Sequence, residues 1–491
     1  MQVAVVRKDT HFTPDPSRVI ARFLYTNDER SKKIIHSVLA MPEDEVRITM
    51  SQVLRGFAKR HRNISKIFEK HFNKLSHLFE RMGINPNEVN QSQKVLIGSY
   101  FTMEYSIESA AFFNPSIVDD PDQSELLQGE KRVILSFRAT GEGHISSIVF
   151  RSAVIDRHCD MIIEPVGKML AEADRIERHI YDKTSFILTL DGMTDFDNKI
   201  SPMFVFEKLG DKFTYGELSR AVKETKRTHQ LTPEKESIIN QIMWLALSHY
   251  EIDFSLDSAI SERVIFPISE TERNGIEDAR FVKFTGDNGE VVYYATYTAY
   301  DGITILPKLL ETKDFYHFKC IPIHGELAHN KGMALFPRKI NGKYTMLCRL
   351  DGVNNYLAYS DNLSIWREAK LIQSPKYPWE LVQVGNSGSP IETEEGWLVI
   401  THGVGPMREY ALGASLYDLG NPEKEIGRLK TPLLAPNEEE REGYVPNVVY
   451  SCGSIVHNGN LVIPYAMSDY AATYATVNLK ELLEELKRLN D

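Results

Sequence analysis

The chain has few cysteines and no cysteine pair. Its four cysteines stand far apart and none has a partner at the spacing typical of a metal site: Cys159, Cys320, Cys348 and Cys452. Four cysteines in 491 residues also do not make a disulfide framework. We therefore expect isolated thiols in the core of a protein from a reducing compartment.

Long apolar runs and an excess of positive charge are also missing. No stretch of apolar residues is long enough for a membrane-spanning helix, which needs about 18 or more residues. Residues 1–12 contain no apolar stretch of the length of a signal peptide. The formal net charge is −11, whereas proteins that bind nucleic acid present clustered Lys and Arg. These absences predict a cytoplasmic protein with neither a nucleic acid nor a membrane as its partner.

The first hundred residues have the periodicity of amphipathic helices. Between residues 28 and 92, apolar side chains recur on one face, for example at Ile34, Val38 and Phe72, and Asn85-Pro86-Asn87 ends the pattern. We expect two or three helices within an N-terminal helical extension, residues 1–98. Their apolar stripes must pack on the rest of the chain or on a second copy in a homo-oligomer, because they are not stable in water.

The pattern changes to short strands from about residue 100. Residues 132–137 and 291–297 are rich in β-branched and aromatic side chains, as strands are. A second helical stretch at 213–250, with an apolar stripe that includes Ile238, Ile242 and Leu245, interrupts the strands. We interpret it as a helical insertion.

The strand region contains repeats. Four similar segments begin at residues 277, 332, 388 and 445, and an earlier copy begins at Asn114. Each continues as strand, turn, strand and a third strand. Units of this kind at a period of 55 to 57 residues are typical of propeller blades. The sequence therefore predicts a mainly β fold, a five-bladed β-propeller at residues 99–480, followed by the end of a C-terminal helix at 481–491. A β-sandwich is the alternative, but it would not give such even spacing.

Polar residues near the start of each repeat are the candidate functional residues, because the inner strands of a propeller converge on one channel. They are Asn114, Arg138, Glu277, Asp278, Arg280, Lys331, Arg349, His402, Tyr410 and Asp469. Carboxylates suit sugar hydroxyl groups, and cations suit an anion. Since neighbouring strand residues face opposite sides, only one of Glu277 and Asp278 is expected to enter the channel. An ion pair of Asp278 with Arg280 that merely stabilises the blade is the alternative for this motif.

Several ordered motifs carry a family resemblance. They are Glu277-Asp278-Ala279-Arg280, residues 331–337, residues 339–344, His402-Gly403-Val404, residues 410–413 and residues 445–449. The sequence from about 100 to 480 resembles the β-mannoside phosphorylases and β-mannosidases of glycoside hydrolase family 130. The resemblance implies a five-bladed propeller, an inverting mechanism, and no metal or cofactor, with inorganic phosphate as co-substrate.

The resemblance also implies roles for individual residues. Asp278 would be the catalytic proton donor. By motif match the cations that hold phosphate would be Arg138, Lys331, Arg349 and His402. We expect the oligosaccharide substrate to contact Asn114, Glu277, Arg280, Tyr410 and Asp469. The chain departs from the family pattern at three places: Ala279 replaces a proline, Cys348 replaces a common histidine, and Ala411 replaces a common arginine.

The activity expected from these residues is phosphorolysis of β-mannosides, with α-mannose 1-phosphate and a shortened sugar as products. Two alternatives remain. An inverting β-mannosidase would use the same acid and a glutamate base, with Glu104, Glu108 and Glu142 as candidates. A propeller that binds sugar without turnover is the other.

Overall fold

The protein is described here by a computed structural model that covers residues 3–175, 180–191, 200–228, 231–302 and 305–488. These residues form ten α-helices: α1 (Asp28–Leu39), α2 (Glu43–Phe57), α3 (Ile64–Asn73), α4 (Ser76–Arg81), α5 (Gln91–Tyr100), α6 (Lys183–Asp191), α7 (Met203–Phe206), α8 (Tyr215–Thr228), α9 (Pro233–Ser248) and α10 (Leu479–Arg488). None of these helices has the length and apolar character needed to cross a membrane.

The described residues also form thirty β-strands. Those before residue 270 are β1 (Val5–Arg7), β2 (Val19–Phe23), β3 (Thr102–Ser106), β4 (Ala111–Asp119), β5 (Lys131–Thr140), β6 (Ser146–Ile155), β7 (Met161–Ile163), β8 (Ala171–Glu172), β9 (Asp174–Arg175), β10 (Ile180–Asp182), β11 (Lys212–Thr214), β12 (Tyr250–Asp253) and β13 (Arg263–Ile265). The following ones are β14 (Ile276–Thr285), β15 (Val291–Tyr300), β16 (Ile305–Thr312), β17 (His317–Pro322), β18 (Ala334–Leu335), β19 (Tyr344–Cys348), β20 (Asn355–Ser360) and β21 (Ala369–Gln373). The last ones are β22 (Gln383–Asn386), β23 (Ile391–Thr393), β24 (Gly396–Val404), β25 (Tyr410–Tyr417), β26 (Glu425–Arg428), β27 (Val449–Tyr450), β28 (Ile455–His457), β29 (Asn460–Met467) and β30 (Ala471–Asn478).

Five sheets of four to six strands follow one another along the chain. Their strand orders are β4-β5-β6-β13-β8, β14-β15-β16-β17-β12-β9, β18-β19-β20-β21, β22-β24-β25-β26 and β1-β30-β29-β27, with β7, β23 and β28 attached to β6, β24 and β29. Each sheet begins at one of the five repeats. Apolar clusters fill the spaces between adjacent sheets, for example the cluster of Phe150, Phe281 and Phe318 between the first and second. The prediction of a mainly β fold is confirmed.

In four of the five sheets, the strand that starts the sheet is interrupted near its middle. Both β4 and β14 contain a β-bulge, between Phe113 and Ser116 and between Glu277 and Arg280. In the fourth and fifth sheets the same place is a gap between two short strands. A bulge inserts an extra residue and changes the direction in which side chains point, so it places polar groups where a regular strand could not.

The N-terminal segment belongs to the last sheet. Strand β1 pairs antiparallel with β30, and Phe12 exchanges backbone hydrogen bonds with Ala472 at 2.7 and 2.9 Å. These residues fall within the predicted helical extension, residues 1–98, because nothing local in residues 5–7 indicates a partner more than 460 residues away.

Residues 28–100 form five helices rather than the two or three expected. The additional helix α5 follows Asn85-Pro86-Asn87, where the helical pattern was expected to end. It buries Val95, Leu96, Ile97 and Gly98, a consecutive run without helical periodicity. Gly98 packs directly on α3, where a Cβ atom would lie 1.9 Å from the carbonyl oxygen of Phe68.

The insertion lies between β7 and β13 and begins before the expected residue 213. Its helices α6 to α9 share an apolar core of their own, built around Phe186, Phe206 and Ile242. Strands β9 and β12 add to the outer edge of the second sheet. At the far end of the chain, α10 begins at Leu479, and residues 489–491 of the expected C-terminal helix end lie outside the described residues.

Candidate active site

A cavity of about 220 Å³ is lined by residues of all five sheets and their loops. All ten candidate residues from the sequence line it: Asn114, Arg138, Glu277, Asp278, Arg280, Lys331, Arg349, His402, Tyr410 and Asp469. They come from all five sheets or from the loops that enter and leave them. The structure therefore brings the whole predicted set to one place.

Asp278 lies at the bulge of β14, with a left-handed backbone (φ +55°), and Asn114 lies at the bulge of β4 with φ +50°. The Nδ2 atom of Asn114 donates a 2.7 Å hydrogen bond to Oδ1 of Asp278. Asn and Asp are the non-glycine residues that adopt this conformation most readily. Asn114 and Asp278 thus occupy equivalent positions of two repeats and face each other, and Asn114 orients the carboxylate of the candidate acid.

Both Glu277 and Asp278 line the cavity. The prediction that only one of them could enter was wrong, because the bulge breaks the alternation of a regular strand. The alternative ion pair with Arg280 is not the arrangement found. Arg280 donates to the carbonyl oxygen of Asn386 at 3.0 Å and to the hydroxyl of Tyr450 at 2.5 Å.

Glu277 holds two of the predicted phosphate ligands. Its Oε1 accepts a hydrogen bond from Nη2 of Arg138 at 2.9 Å, and its Oε2 accepts one from Nζ of Lys331 at 2.6 Å. Nη1 of Arg138 also lies 3.7 Å from Oδ1 of Asp278. This carboxylate therefore fixes the two cations beside the candidate acid.

A second group of side chains in the cavity surrounds His402. The imidazole is fully buried, and its Nδ1–H donates to the carbonyl oxygen of Asn386 at 3.0 Å. Burial, with the charges of Arg349 and Arg280 beside it, holds the pKa of His402 well below 6.5. His402 is thus neutral at physiological pH, which corrects its assignment as one of four cations.

Asp469 is the third carboxylate of the cavity and has a left-handed backbone, with φ +52°. Burial, together with the negative charge of the neighbouring Asp278, raises its pKa from 3.8 to about 6. When ionised, this group can only accept hydrogen bonds from sugar hydroxyl groups, whereas the protonated carboxyl group can also donate one.

Three polar lining residues were missed in the sequence: Gln383, Arg408 and Tyr450. Arg408 lies in the turn between β24 and β25, where both Met407 and Arg408 have φ +57°. It supplies a cation near Tyr410, whereas Ala411, where the family motif has arginine, is buried. The absence of the family's arginine at position 411 was a signal in the sequence, because it suggests that a nearby residue supplies the positive charge instead.

The glutamates considered as the base of a hydrolase lie elsewhere. Glu104 accepts hydrogen bonds from Arg60 at 2.7 and 2.9 Å, and Glu108 is buried between Arg18 and Arg151. Glu142 lies on an exposed turn after β5. None of these three glutamates lines the cavity. In the part of the chain that the structure describes, no cluster of three or more His, Cys, Asp or Glu is arranged to hold a metal.

Comparison with known proteins identifies the family. The glycoside hydrolase 130 family model, described as beta-1,4-mannooligosaccharide phosphorylase, matches residues 235–488, just over half of the chain. The chain belongs to glycoside hydrolase family 130. The matched segment contains eight of the ten candidate residues, from Glu277 to Asp469. Asn114 and Arg138 lie outside it and rest on the geometry alone.

Curated relatives of this family 130 protein act on β-mannosides. It is 37% identical over 221 residues to a 1,2-beta-oligomannan phosphorylase of Thermoanaerobacter sp. (strain X514). The alignment covers 44% of this chain and 72% of that protein. It is 32% identical over 243 residues to a beta-1,2-mannobiose phosphorylase of Listeria innocua. This alignment covers 48% of this chain and 65% of the relative, which is less than two thirds of the relative's length.

Solved structures are similar over a larger part of the chain. The β-1,2-mannobiose phosphorylase from Listeria innocua in complex with β-1,2-mannobiose matches 77% of this chain and 92% of that chain, with 22% identity and a TM-score of 0.45. A glycoside hydrolase structure from Bacteroides ovatus matches 78% of this chain and 90% of that chain, with 18% identity and a TM-score of 0.47.

Proposed function

We propose that this family 130 protein is an inverting phosphorylase. It would cleave β-mannosides with inorganic phosphate to give α-mannose 1-phosphate and a shortened sugar. We further propose that its five sheets form a five-bladed β-propeller around the cavity. Support for the propeller comes from the five repeats, the five sheets in series and the pairing of β1 with β30, which joins the first residues to the last sheet.

The observation that carries the proposal is the balance of charge in the cavity. Among the described residues that line it, five are cations and three are carboxylates. The cations are Arg138, Arg280, Lys331, Arg349 and Arg408, and the carboxylates are Glu277, Asp278 and Asp469. A site with excess positive charge favours an anionic co-substrate, whereas a hydrolase needs a second free carboxylate to activate water. Glu277, one of the two remaining carboxylates, is already paired with two cations.

In the proposed reaction, Asp278 provides the proton that the leaving sugar oxygen needs. A phosphate oxygen attacks the anomeric carbon of the mannosyl unit from the opposite face, and the glycosidic C–O bond breaks as the new C–O bond forms. The configuration inverts from β to α. No base is required, because phosphate is already a nucleophilic anion.

The two groups of side chains suggest where each substrate binds. Asn114, Asp278 and Asp469 offer hydrogen-bonding oxygens and an amide for the mannosyl unit. Arg349 and the neutral His402 lie together over Gly385, with Tyr410 stacked on the imidazole at 6.1 Å between ring centroids. We assign phosphate to this second group, together with the cations that Glu277 holds.

A cytoplasmic location fits the same proposal. Phosphorolysis keeps the energy of the glycosidic bond in a sugar phosphate, whose charge prevents it from crossing a membrane. The four cysteines are free and buried, as expected for a reducing compartment.

The deciding experiment is incubation of the protein with β-1,2-mannobiose, β-1,4-mannobiose and β-mannosyl-glucose, each with and without phosphate. Product analysis should find α-mannose 1-phosphate, and cleavage only when phosphate is present. Equal cleavage with and without phosphate would instead establish a β-mannosidase. Binding of these sugars without any turnover would support the sugar-binding alternative.

A further inference from the structure

Three buried side-chain atoms of the residues that line the cavity have no hydrogen-bond partner among the described residues: Oδ1 of Asn114, Nε2 of His402 and Nε of Arg349. The atoms of His402 and Arg349 form a pair. Both side chains line the cavity, and they lie over the same residue, Gly385. A Cβ atom on Gly385 would lie 2.6 Å from Nε2 of His402 and 3.1 Å from Cδ of Arg349. Buried polar groups without a partner are rare, so two of them side by side in one cavity indicate a binding site for a polar ligand.

The two atoms are of opposite kinds. A carbonyl oxygen can only accept, so the contact with Asn386 requires the hydrogen of His402 to be on Nδ1. Nε2 of the neutral ring therefore carries a lone pair and can only accept a hydrogen bond, whereas Nε–H of Arg349 can only donate. The charged groups that face the ring are Arg349 and Arg280, and both disfavour a second proton on it. Tyr410 and Tyr450 are the other rings packed against it.

We propose that this anion site selects oxyanions that carry a proton. The P–OH group of hydrogen phosphate would donate to Nε2 of His402, while an adjacent phosphate oxygen accepts from Nε–H of Arg349. Sulfate has the same shape and the same double negative charge above pH 7, but it has no proton to donate. Its oxygen would face the lone pair of Nε2 and leave that buried acceptor unsatisfied. This inference rests on the proposed use of phosphate as co-substrate.

The test is direct anion binding, measured without sugar by titration calorimetry at pH 8 and constant ionic strength. The probes are inorganic phosphate, arsenate and sulfate, which are all dianions at this pH. Phosphate and arsenate should bind at least about tenfold more tightly than sulfate, because an unsatisfied buried acceptor is costly. Equal affinity for phosphate and sulfate would overturn the inference, as would the absence of binding by any of the three.

Variants assign the selectivity to His402. His402→Gln places an amide that can turn either its N–H or its oxygen toward the ligand, so the preference for phosphate over sulfate should fall below about threefold. His324→Gln is the matched control, since His324 is also buried, has an unpartnered Nε2, and lies outside the cavity. Retention of full selectivity in His402→Gln, or its loss in His324→Gln, would contradict the assignment.

The tautomer offers a measurement that does not depend on a variant. Long-range ¹H–¹⁵N spectra of the wild-type protein should show His402 with its hydrogen on Nδ1, both free and with phosphate bound. An imidazolium in the phosphate complex would overturn the inference. Failure of the proposed function has a different signature: phosphate would still bind selectively, but cleavage would not depend on it.

Discussion

Asp278 combines a catalytic position with a backbone conformation that few residues accept. Its φ of +55° and the hydrogen bond from Asn114 are both compatible with asparagine. Asp278→Asn should therefore keep the fold and the melting temperature while turnover falls by roughly 10²–10⁴ or more, since the proton donor is lost. Initial rates with phosphate and a β-mannobiose provide the measurement. More than a tenth of wild-type turnover in this variant would show that another group is the acid.

Arg349 should matter for phosphate more than for sugar. Charge-assisted hydrogen bonds contribute roughly 1.5–3 kcal/mol each, so Arg349→Ala should raise the KM for phosphate at least about tenfold. The KM for the sugar should change less. Arg338→Ala is the control, because Arg338 pairs with Glu392 away from this cavity. A larger effect on the sugar than on phosphate would be inconsistent with the assignment of Arg349 to the anion.

Asp469 makes the protein's stability depend on pH. Its pKa is raised from 3.8 to about 6 on folding, so the folded state binds the proton more tightly than the unfolded state. The stability that this group contributes is full below pH 4 and is lost as pH rises to 6. Asp469→Asn, which stays neutral, should therefore raise the Tm at pH 8 but not at pH 4, at a cost in sugar affinity. Thermal unfolding at both pH values tests this, and an equal change at the two values would argue against the raised pKa.

At the scale of elements, a buried ion pair connects the second sheet to the insertion. Nζ of Lys308 lies 2.6 Å from Oε1 of Glu272, both side chains are fully buried, and the hydroxyl of Tyr250 donates to Glu272 at 2.8 Å. Lys308 is on β16, and Tyr250 is the first residue of β12, which leaves the insertion. This network fixes the end of the insertion against the outer part of the sheet.

Removal of one member of this pair should be costly. Lys308→Met leaves a buried carboxylate without its cation, which should reduce the free energy of unfolding by about 3–5 kcal/mol. Lys343→Met, at an exposed pair with Asp361, should change it by less than about 1 kcal/mol. Urea unfolding compares the two variants. Similar small effects in both would mean that the buried network does not support the insertion.

At the scale of the whole molecule, the pairing of β1 with β30 attaches the N-terminal segment to the last sheet. A chain that starts at residue 14 would lose the hydrogen bonds between Phe12 and Ala472 and would lose β1, the strand that pairs with the outer edge of β30. It should have a lower Tm and a greater tendency to aggregate, because β30 becomes an exposed edge strand. Val6→Thr is the control, since this side chain of β1 is exposed. An unchanged Tm in the shortened chain would show that the last sheet is stable without β1.

Local patterns in the sequence were sufficient for the class of fold and for the set of candidate residues. Alternating β-branched residues indicated strands, and an even period of about 56 residues indicated equivalent units. Because equivalent positions of such units converge, the sequence alone assigns ten polar residues to one site. Helices with strong amphipathic periodicity, such as α3, were found for the same reason.

Tertiary structure alone decided how those residues work together. The bulge that admits both Glu277 and Asp278, the pairing of Glu277 with Arg138 and Lys331, and the neutral state of His402 all depend on partners distant in the sequence. The placement of Arg408 in the cavity and the pairing of β1 with β30 also depend on residues distant in the sequence. Burial and hydrogen bonding are set by what packs around a group, and a one-dimensional pattern records the group without its surroundings.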